Sequence, residues 1–353
     1  MSSLKTDDGL PTQMKAVVFQ KPGEPLKLVE KAVPKPGPGE LLVKILSTSI
    51  CASDLVPWKG YLGDKTGVVP GHEAVGVVVS KHESTATNLR NGDRVGFTNA
   101  ANFCANCERC LAGSGQFCES GKRDLGFDVD GFWAEYAVVS ALVAIKIPDT
   151  LDAPKLAPLF CAGITAFAAL KRLDAPARGL IGVIGLGGVG TLAVRFARAL
   201  GFQVVGLDVS QDARDRALRA GAQHVLDSSD LDTVKSKVSE LTQGGLLAGC
   251  LICTPTSAGY LIGAEICGFQ RTLVAVGVPH EAIPLSIMPF IKKGLVMKGT
   301  QTGNPIDLKD MMATVSIHDI VPESTECDFS QLPDIFSKFA AGEIFGKFSF
   351  NLS

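Results

Sequence analysis

The stretch GLIGVIGLGGVGTLAVRFARALGFQVVGLDVS, residues 179–210, constrains the fold more than any other part of the chain. An apolar run, LIGVI, leads straight into Gly185, Gly187 and Gly190, spaced G-x-G-x-x-G. A helical segment follows, with Leu192, Ala193, Phe196, Ala197 and Leu200 on one face at 3.6-residue spacing. A second apolar run, QVVGLD, then ends on Asp208. Strand, glycine turn, helix and strand in this order form the unit that cradles a dinucleotide. The first glycine permits the tight turn, the second admits backbone close to a pyrophosphate, and the third lets helix and strand pack. Leu186, Gly188 and Val189 complete the loop. Asp208 is placed to accept the adenosine ribose hydroxyls and to repel a 2′-phosphate, so NAD is expected over NADP. Arg214 and Arg216, shortly downstream, are the residues that weigh against that preference.

The same alternation continues. QHVLD, GCLICT, RTLVAVGV and LVMKGTQ follow at fairly even intervals, most separated by enough chain for a helix. Six apolar strands alternating with helices predict a doubly wound parallel sheet. Upstream, MKAVVF, LLVKILSTSI, AVGVVVS, GDRVGF and EYAVVSALVAIKI read as strands between turns, so this half is β-rich. At 353 residues about two domains are expected. The fold class is α/β. One domain is drawn from 1–155 and 300–353, with a cysteine lobe at about 100–120, and the dinucleotide domain spans 156–299.

With 46% hydrophobic and 20% charged residues and a formal net charge of −2, the chain has no field to attract nucleic acid or anionic membrane. There is no apolar run of 18 residues, and the ends carry no sorting pattern, so a cytoplasmic protein is expected. Ten cysteines are many for such a chain, and four of them form C-x2-C-x2-C-x7-C at Cys104, Cys107, Cys110 and Cys118. Four thiolates close a tetrahedral zinc shell with no open position, a structural site. An iron–sulfur cluster is the alternative, and zinc is preferred because the surrounding loop offers no other redox hint. A zinc-ribbon nucleic-acid binder would need a basic face that CERC and CESGKRD do not supply.

Three further residues invite attention: Cys51 in CASDLVPWKG, His72 beside Glu73 in VVPGHEAVG, and Cys161 in LAPLFCAGIT. Each alone reads as an ordinary packing residue. Their spacing does not bring them together.

Taken as a set, the motifs resemble the zinc-dependent alcohol dehydrogenases of the medium-chain dehydrogenase/reductase superfamily. Those that carry the resemblance are C-x-S-D at 51–54, GHE at 71–73, GDRVG at 92–96, the four-cysteine lobe, CAGIT at 161–165 and GLGGVG at 185–190. Together they cover nearly the whole chain, and cysteine at 161 is most similar to the yeast-like and bacterial tetrameric branch. The resemblance implies a GroES-like catalytic domain built from both chain ends around a Rossmann NAD-binding domain, two zinc ions per chain and a homotetramer. Cys51, His72 and Cys161 would hold the catalytic zinc, with Glu73 behind it. Asp54 would orient His72, and Ser53 would hydrogen-bond the substrate oxygen and relay its proton. Thr165 matches a position near the nicotinamide, and 276–278, with Val276 and Val278, a segment contacting its carboxamide.

The implied reaction is hydride transfer between NAD(H) and an alcohol or carbonyl, with small-molecule partners only. Ala52, Val56, Asn304 and Pro305 stand where relatives carry polar or basic groups. A more specialised reaction on a larger substrate is therefore expected, carbonyl reduction among them. Aldehyde dismutation, polyol oxidation and a non-catalytic nucleotide-binding redox sensor are the alternatives. Trp58, Tyr61, Leu62, Phe103 and Phe127 are candidates for the pocket wall.

Overall fold

The structure is a computed structural model and describes residues 9–279 and 281–352. The chain divides into two units. One comprises Met1–Cys161, Asn304–Met312 and Val321–Ser353, the other Ala162–Gly303 and Ala313–Ile320. The division after Cys161 leaves this thiol in the same unit as Cys51 and His72.

The first unit is built on valine- and isoleucine-rich segments that suit a pleated, half-buried surface. Seven strands form its main sheet. In order across it run Thr325–Asp328, Phe348–Asn351, Glu40–Ser49, Ala74–Lys81, Arg94–Phe97 and Ala144–Lys146, and Tyr136–Ser140 also pairs with Glu40–Ser49. EYAVVSALVAIKI thus supplies two strands, because a turn at 141–143 redirects the chain. Strand Phe348–Asn351 lies antiparallel to Glu40–Ser49, with Phe350 opposite Thr48. Late chain is thereby placed beside the loop that starts at Cys51. A second ladder, Gln13–Val18 with Lys27–Ala32, packs Met14, Ala16 and Val18 into a core shared with Trp133 and Phe336. Trp133 and Phe336 meet edge to face at 5.4 Å.

In the second unit, six parallel strands lie in the order His224–Asp227, Gln203–Asp208, Leu180–Ile184, Cys250–Ile252, Thr272–Ala275, Val296–Gly299. This is the 3-2-1-4-5-6 order of a doubly wound dinucleotide fold. The inner strands are buried runs, as expected where helices cover both faces. The helix Gly188–Ala199 buries Leu192, Ala193, Phe196 and Ala197. Leu200, expected on the same face, is 41% exposed because it is the residue that caps the helix, where the chain turns at Gly201.

Among the described residues no single helix is long and apolar enough to cross a membrane.

Candidate metal centre and dinucleotide site

Two groups of metal-ligating side chains stand out, both in the first unit. In one, donor atoms of Cys51, His72, Glu73 and Cys161 all lie within 4.8 Å of one another. Local chain geometry explains each position. Cys51 follows the long strand Glu40–Ser49, and its amide donates to Asp54 Oδ2 at 2.8 Å, which folds the CASD segment into a tight turn. The other Asp54 oxygen, Oδ1, holds His72 Nδ1 at 2.7 Å. Asp54 is fully buried and His72 nearly so. His72 follows Gly71 (φ +88°), where a Cβ would come within 2.2 Å of the Trp133 ring. Only glycine permits that approach. Cys161 follows Phe160, whose ring fills the space above Gly96, where a Cβ would lie 1.7 Å from it. The second glycine of GDRVG is thus a socket that seats the residue preceding Cys161.

These residues fit a metal ion. With Nδ1 held by Asp54, the His72 tautomer leaves Nε2 as a lone pair. Nε2 is buried and has no hydrogen-bond partner among the described residues. Such an atom is costly unless something fills its valence. The two thiols titrate as a pair. Cys51 is held well below the usual thiol range by its contact with Cys161, against burial, while Cys161 is pushed well above it by Cys51 and by burial. Burial pulls the His72 imidazole down, but the Asp54 carboxylate outweighs it and the net direction is well up, so a metal binding at Nε2 would displace a proton there.

Glu73 has its own counter-charge. Its Oε2 accepts from Lys347 Nζ and from Ser49 Oγ, all fully or nearly buried. Burial raises the carboxyl to about 7, against the pull of Lys347. Lys347 also donates to the Ile50 carbonyl at 2.9 Å. Glu73 Oε1 remains without a hydrogen-bond partner among the described residues.

In the second group, donor atoms of Cys104, Cys107, Cys110 and Cys118 also lie within 4.8 Å of one another. Cys104 Sγ is 3.5 Å from Cys118 Sγ and 3.9 Å from Cys110 Sγ. Backbone amides point at the sulfurs, Cys107 N at Cys104 Sγ (3.2 Å) and Cys104 N at Cys118 Sγ (3.4 Å). Amides of Asn106 and Cys107 bring the Cys104 thiol down to about 6. Ala105 sits at φ +55°, a left-handed kink that closes the loop. An all-sulfur donor set of this kind could close a tetrahedral shell around a metal ion that prefers thiolates.

The dinucleotide segment lies wholly in the second unit. Gly185 takes φ +90°, and a Cβ on Gly190 would stand 1.9 Å from the Gly185 carbonyl oxygen, so turn and helix touch through glycine. At Gly187 a Cβ would meet nothing within 4 Å. That open, exposed backbone at the start of a twelve-residue helix could admit an anionic group. Gly188 is exposed and Val189 half-buried, while Leu186 is buried against Gly206. Asp208 ends the second strand, where its Oδ2 accepts from Leu186 N (2.7 Å) and its Oδ1 from Ser210 N (2.9 Å). Thr165 is half-buried on the helix Ala162–Lys171. Val276 is half-buried and Val278 exposed, in a segment tied down by the Tyr260 hydroxyl, which donates to Gly277 O at 2.5 Å.

Residues 37–149 match the alcohol dehydrogenase GroES-like domain family, and residues 188–316 match the zinc-binding dehydrogenase family. An alcohol dehydrogenase of Geobacillus stearothermophilus is 31% identical over 339 residues, covering 95% of this chain and 98% of the relative. The chain belongs to the zinc-type alcohol dehydrogenases. Two solved structures share the fold of this alcohol dehydrogenase-family chain. Acetophenone reductase from Geotrichum candidum NBRC 4597, in complex with NAD, superposes with a TM-score of 0.83 at 24% identity, covering 97% of this chain and 98% of that one. A protein described as a zinc-binding dehydrogenase from Sinorhizobium meliloti 1021, bound to NADP, gives 0.86 at 23%, covering 96% and 99%.

Within this family member, the pocket-wall candidates separate. Phe127 lies against the His72 ring, centroids 4.8 Å apart. Trp58 instead packs on Phe336 and donates to Glu24 O, and Phe103 packs on Gly115 in the cysteine lobe. Tyr61 and Leu62 are exposed. Ser53 is exposed, its Oγ 3.8 Å from Cys51 Sγ. Lys347 is the site residue that sequence reasoning misses. No spacing rule links it to Glu73, and only the pairing of the late strand with Glu40–Ser49 brings it there.

Proposed function

We propose that the protein is a zinc-dependent oxidoreductase that moves a hydride between NAD(H) and an alcohol or carbonyl substrate. The observation that carries this reading is the convergence of Cys51, His72 and Cys161 around a buried, unsatisfied His72 Nε2. Cys51, His72 and Cys161 would hold the catalytic zinc, three protein ligands with a fourth position open, and Cys104, Cys107, Cys110 and Cys118 the structural one. Zinc held there supplies Lewis acidity toward the substrate oxygen. The dinucleotide, with its pyrophosphate at 185–190, its ribose at Asp208 and its nicotinamide toward Thr165, Val276 and Val278, supplies or receives the hydride. A non-catalytic redox sensor would have no use for an open ligand position beside a hydroxyl.

The chain's own residues do the rest. Asp54 fixes the His72 tautomer, so that Nε2 keeps its lone pair. Glu73 lies behind the ligands, neutralised by Lys347, and keeps one oxygen uncommitted. Ser53 is the hydroxyl beside Cys51 and the group we assign to carry the substrate proton outward. Val56 offers the proton no second step, and Phe127 supplies an apolar wall. Both features support a larger, less polar substrate than a short-chain alcohol, carbonyl reduction included. NAD is preferred over NADP on the strength of Asp208. A homotetramer belongs to the same reading, supported by the strand Val296–Gly299, which is exposed along its length at the outer edge of its sheet. So does a cytoplasmic setting, since a four-thiolate site needs a reducing compartment.

Primary, secondary, benzylic and polyol substrates, and the matching carbonyls, should be offered with NAD and NADP while nicotinamide absorbance is followed in both directions. Turnover by protein carrying two zinc ions per chain is expected. Ser53→Ala is expected to lower turnover about 100-fold, with dinucleotide affinity nearly unchanged. Equal losses in both would remove Ser53 from the proton path, and one zinc per chain would remove the catalytic site.

A further inference from the structure

Two acidic side chains and one arginine meet at the ends of the strands Gln203–Asp208 and His224–Asp227. The strands are parallel neighbours, and Asp208 and Asp227 pair directly in register. Arg214, on the helix Gln211–Arg219, reaches back beneath this end. Its Nη1 donates to the Asp208 backbone carbonyl at 2.7 Å and lies 3.3 Å from Asp227 Oδ2. Its Nη2 donates to Gln211 Oε1 at 2.8 Å. The side chain is only 11% exposed, whereas that of Asp227 is 49% exposed. Asp227 is itself braced, its Oδ1 accepting from Ser229 N at 2.9 Å.

Arg214 therefore does not stand beside the Asp208 carboxylate as a free cation. Its fork is spent on a backbone carbonyl, a carboxylate and an amide. The local balance is two carboxylates against one guanidinium, a net negative charge where the adenosine ribose would lie. A 2′-phosphate, nearly a dianion, would have to be accepted there. Arginine is the side chain best suited to bind it, through its planar fork. In this chain that arginine is present but held under the strand ends.

We propose that Asp227 is a specificity-determining residue: by pairing with Arg214 it holds the guanidinium away from the ribose site and so enforces preference for the dinucleotide without a 2′-phosphate. The assignment rests on the NAD reading above and adds its cause, a latent phosphate-binding arginine kept engaged by the neighbouring strand. Asp208 repels the phosphate directly. Asp227 acts one step removed, by denying the phosphate its natural partner.

The test is equilibrium binding of NADH and NADPH by nicotinamide fluorescence, which needs no turnover. Asp227→Asn keeps the acceptor for Ser229 N and removes the charge. It is expected to tighten NADPH about fivefold, the scale of one partly screened charge acting on a dianion, while NADH changes less than about twofold. Adding Arg214→Gln to Asp227→Asn should abolish the gain. If Asp227→Asn leaves the NADPH/NADH ratio unchanged while NADH binds normally, the assignment is wrong. It is equally wrong if the double variant keeps the full gain, because the arginine then plays no part. Wild-type protein that binds neither dinucleotide would overturn the nucleotide reading itself, and this assignment with it. Thermal melts of both variants establish that folded protein is being compared. Should Asp227→Asn fail to fold, Asp227→Ser carries the same expectation.

Discussion

Lys347 meets Glu73 in surroundings that exclude water, and neither charge would be stable there alone. An unpaired buried charge costs several kcal/mol, whereas replacing both partners by neutral groups is often tolerated. Lys347→Met is accordingly expected to destabilise the first unit by about 3–5 kcal/mol, measured by denaturant unfolding. Glu73→Gln combined with Lys347→Met should recover most of that loss. A single-variant cost below about 1 kcal/mol, the range of exposed pairs, would mean that the pair is solvated in solution. The same residues show why part of the site escapes sequence reading. Cys51, Ser53 and Asp54 fall within one short motif, and His72 and Glu73 within another. Lys347 lies in FGKFSF, which reads only as the start of a strand.

At the scale of elements, close approaches through glycine seat His72 and Cys161. Gly96 belongs to the strand Arg94–Phe97, and the ring of Phe160 occupies the place its side chain would take. Gly96→Ala forces that ring to move and should cost about 1–3 kcal/mol by overpacking. Because Phe160 precedes Cys161, the specific outcome is easier loss of one zinc to chelator, with the four-cysteine site retained. Metal content after graded chelation reads this directly, and equal loss from both sites would refute it. Elements were also the most legible scale. The strand–glycine–helix–strand unit at 179–210 carries its period, its turn and its terminal carboxylate in adjacent residues. The break in EYAVVSALVAIKI was hidden because Ala141 and Leu142 are apolar although they lie in a turn. Leu200 misled in the opposite way, keeping the helical period one residue past the helix end.

For the whole molecule, the outer strand Val296–Gly299 is the feature with most consequence. All four of its residues are exposed, and Val296 and Met297 leave apolar surface on the outer edge of the sheet, where no further strand pairs among the described residues. Nearby in sequence, Ile287 and Ile291 are also strongly exposed. Light scattering after size exclusion should give a mass above that of one chain, and Met297→Lys should shift it downward. A monomer at micromolar concentration would remove the oligomer from the proposal. Assembly was not legible from residues alone, since an apolar strand pattern looks the same whether a neighbour or a second chain covers it.

The return of the strand Phe348–Asn351 to the sheet that holds Cys51 also has a meaning in time. Cys51, His72 and Cys161 are all made by residue 161, but Lys347 is synthesised 186 residues later. At 5–20 residues per second that is a wait of roughly 10–40 s. Through that interval Glu73 lacks the charge of Lys347, so the nascent first unit can close around it only with the carboxyl protonated. The second unit, complete in sequence by Ile320, is free to fold while the group of Cys51, His72 and Cys161 waits for its last strand.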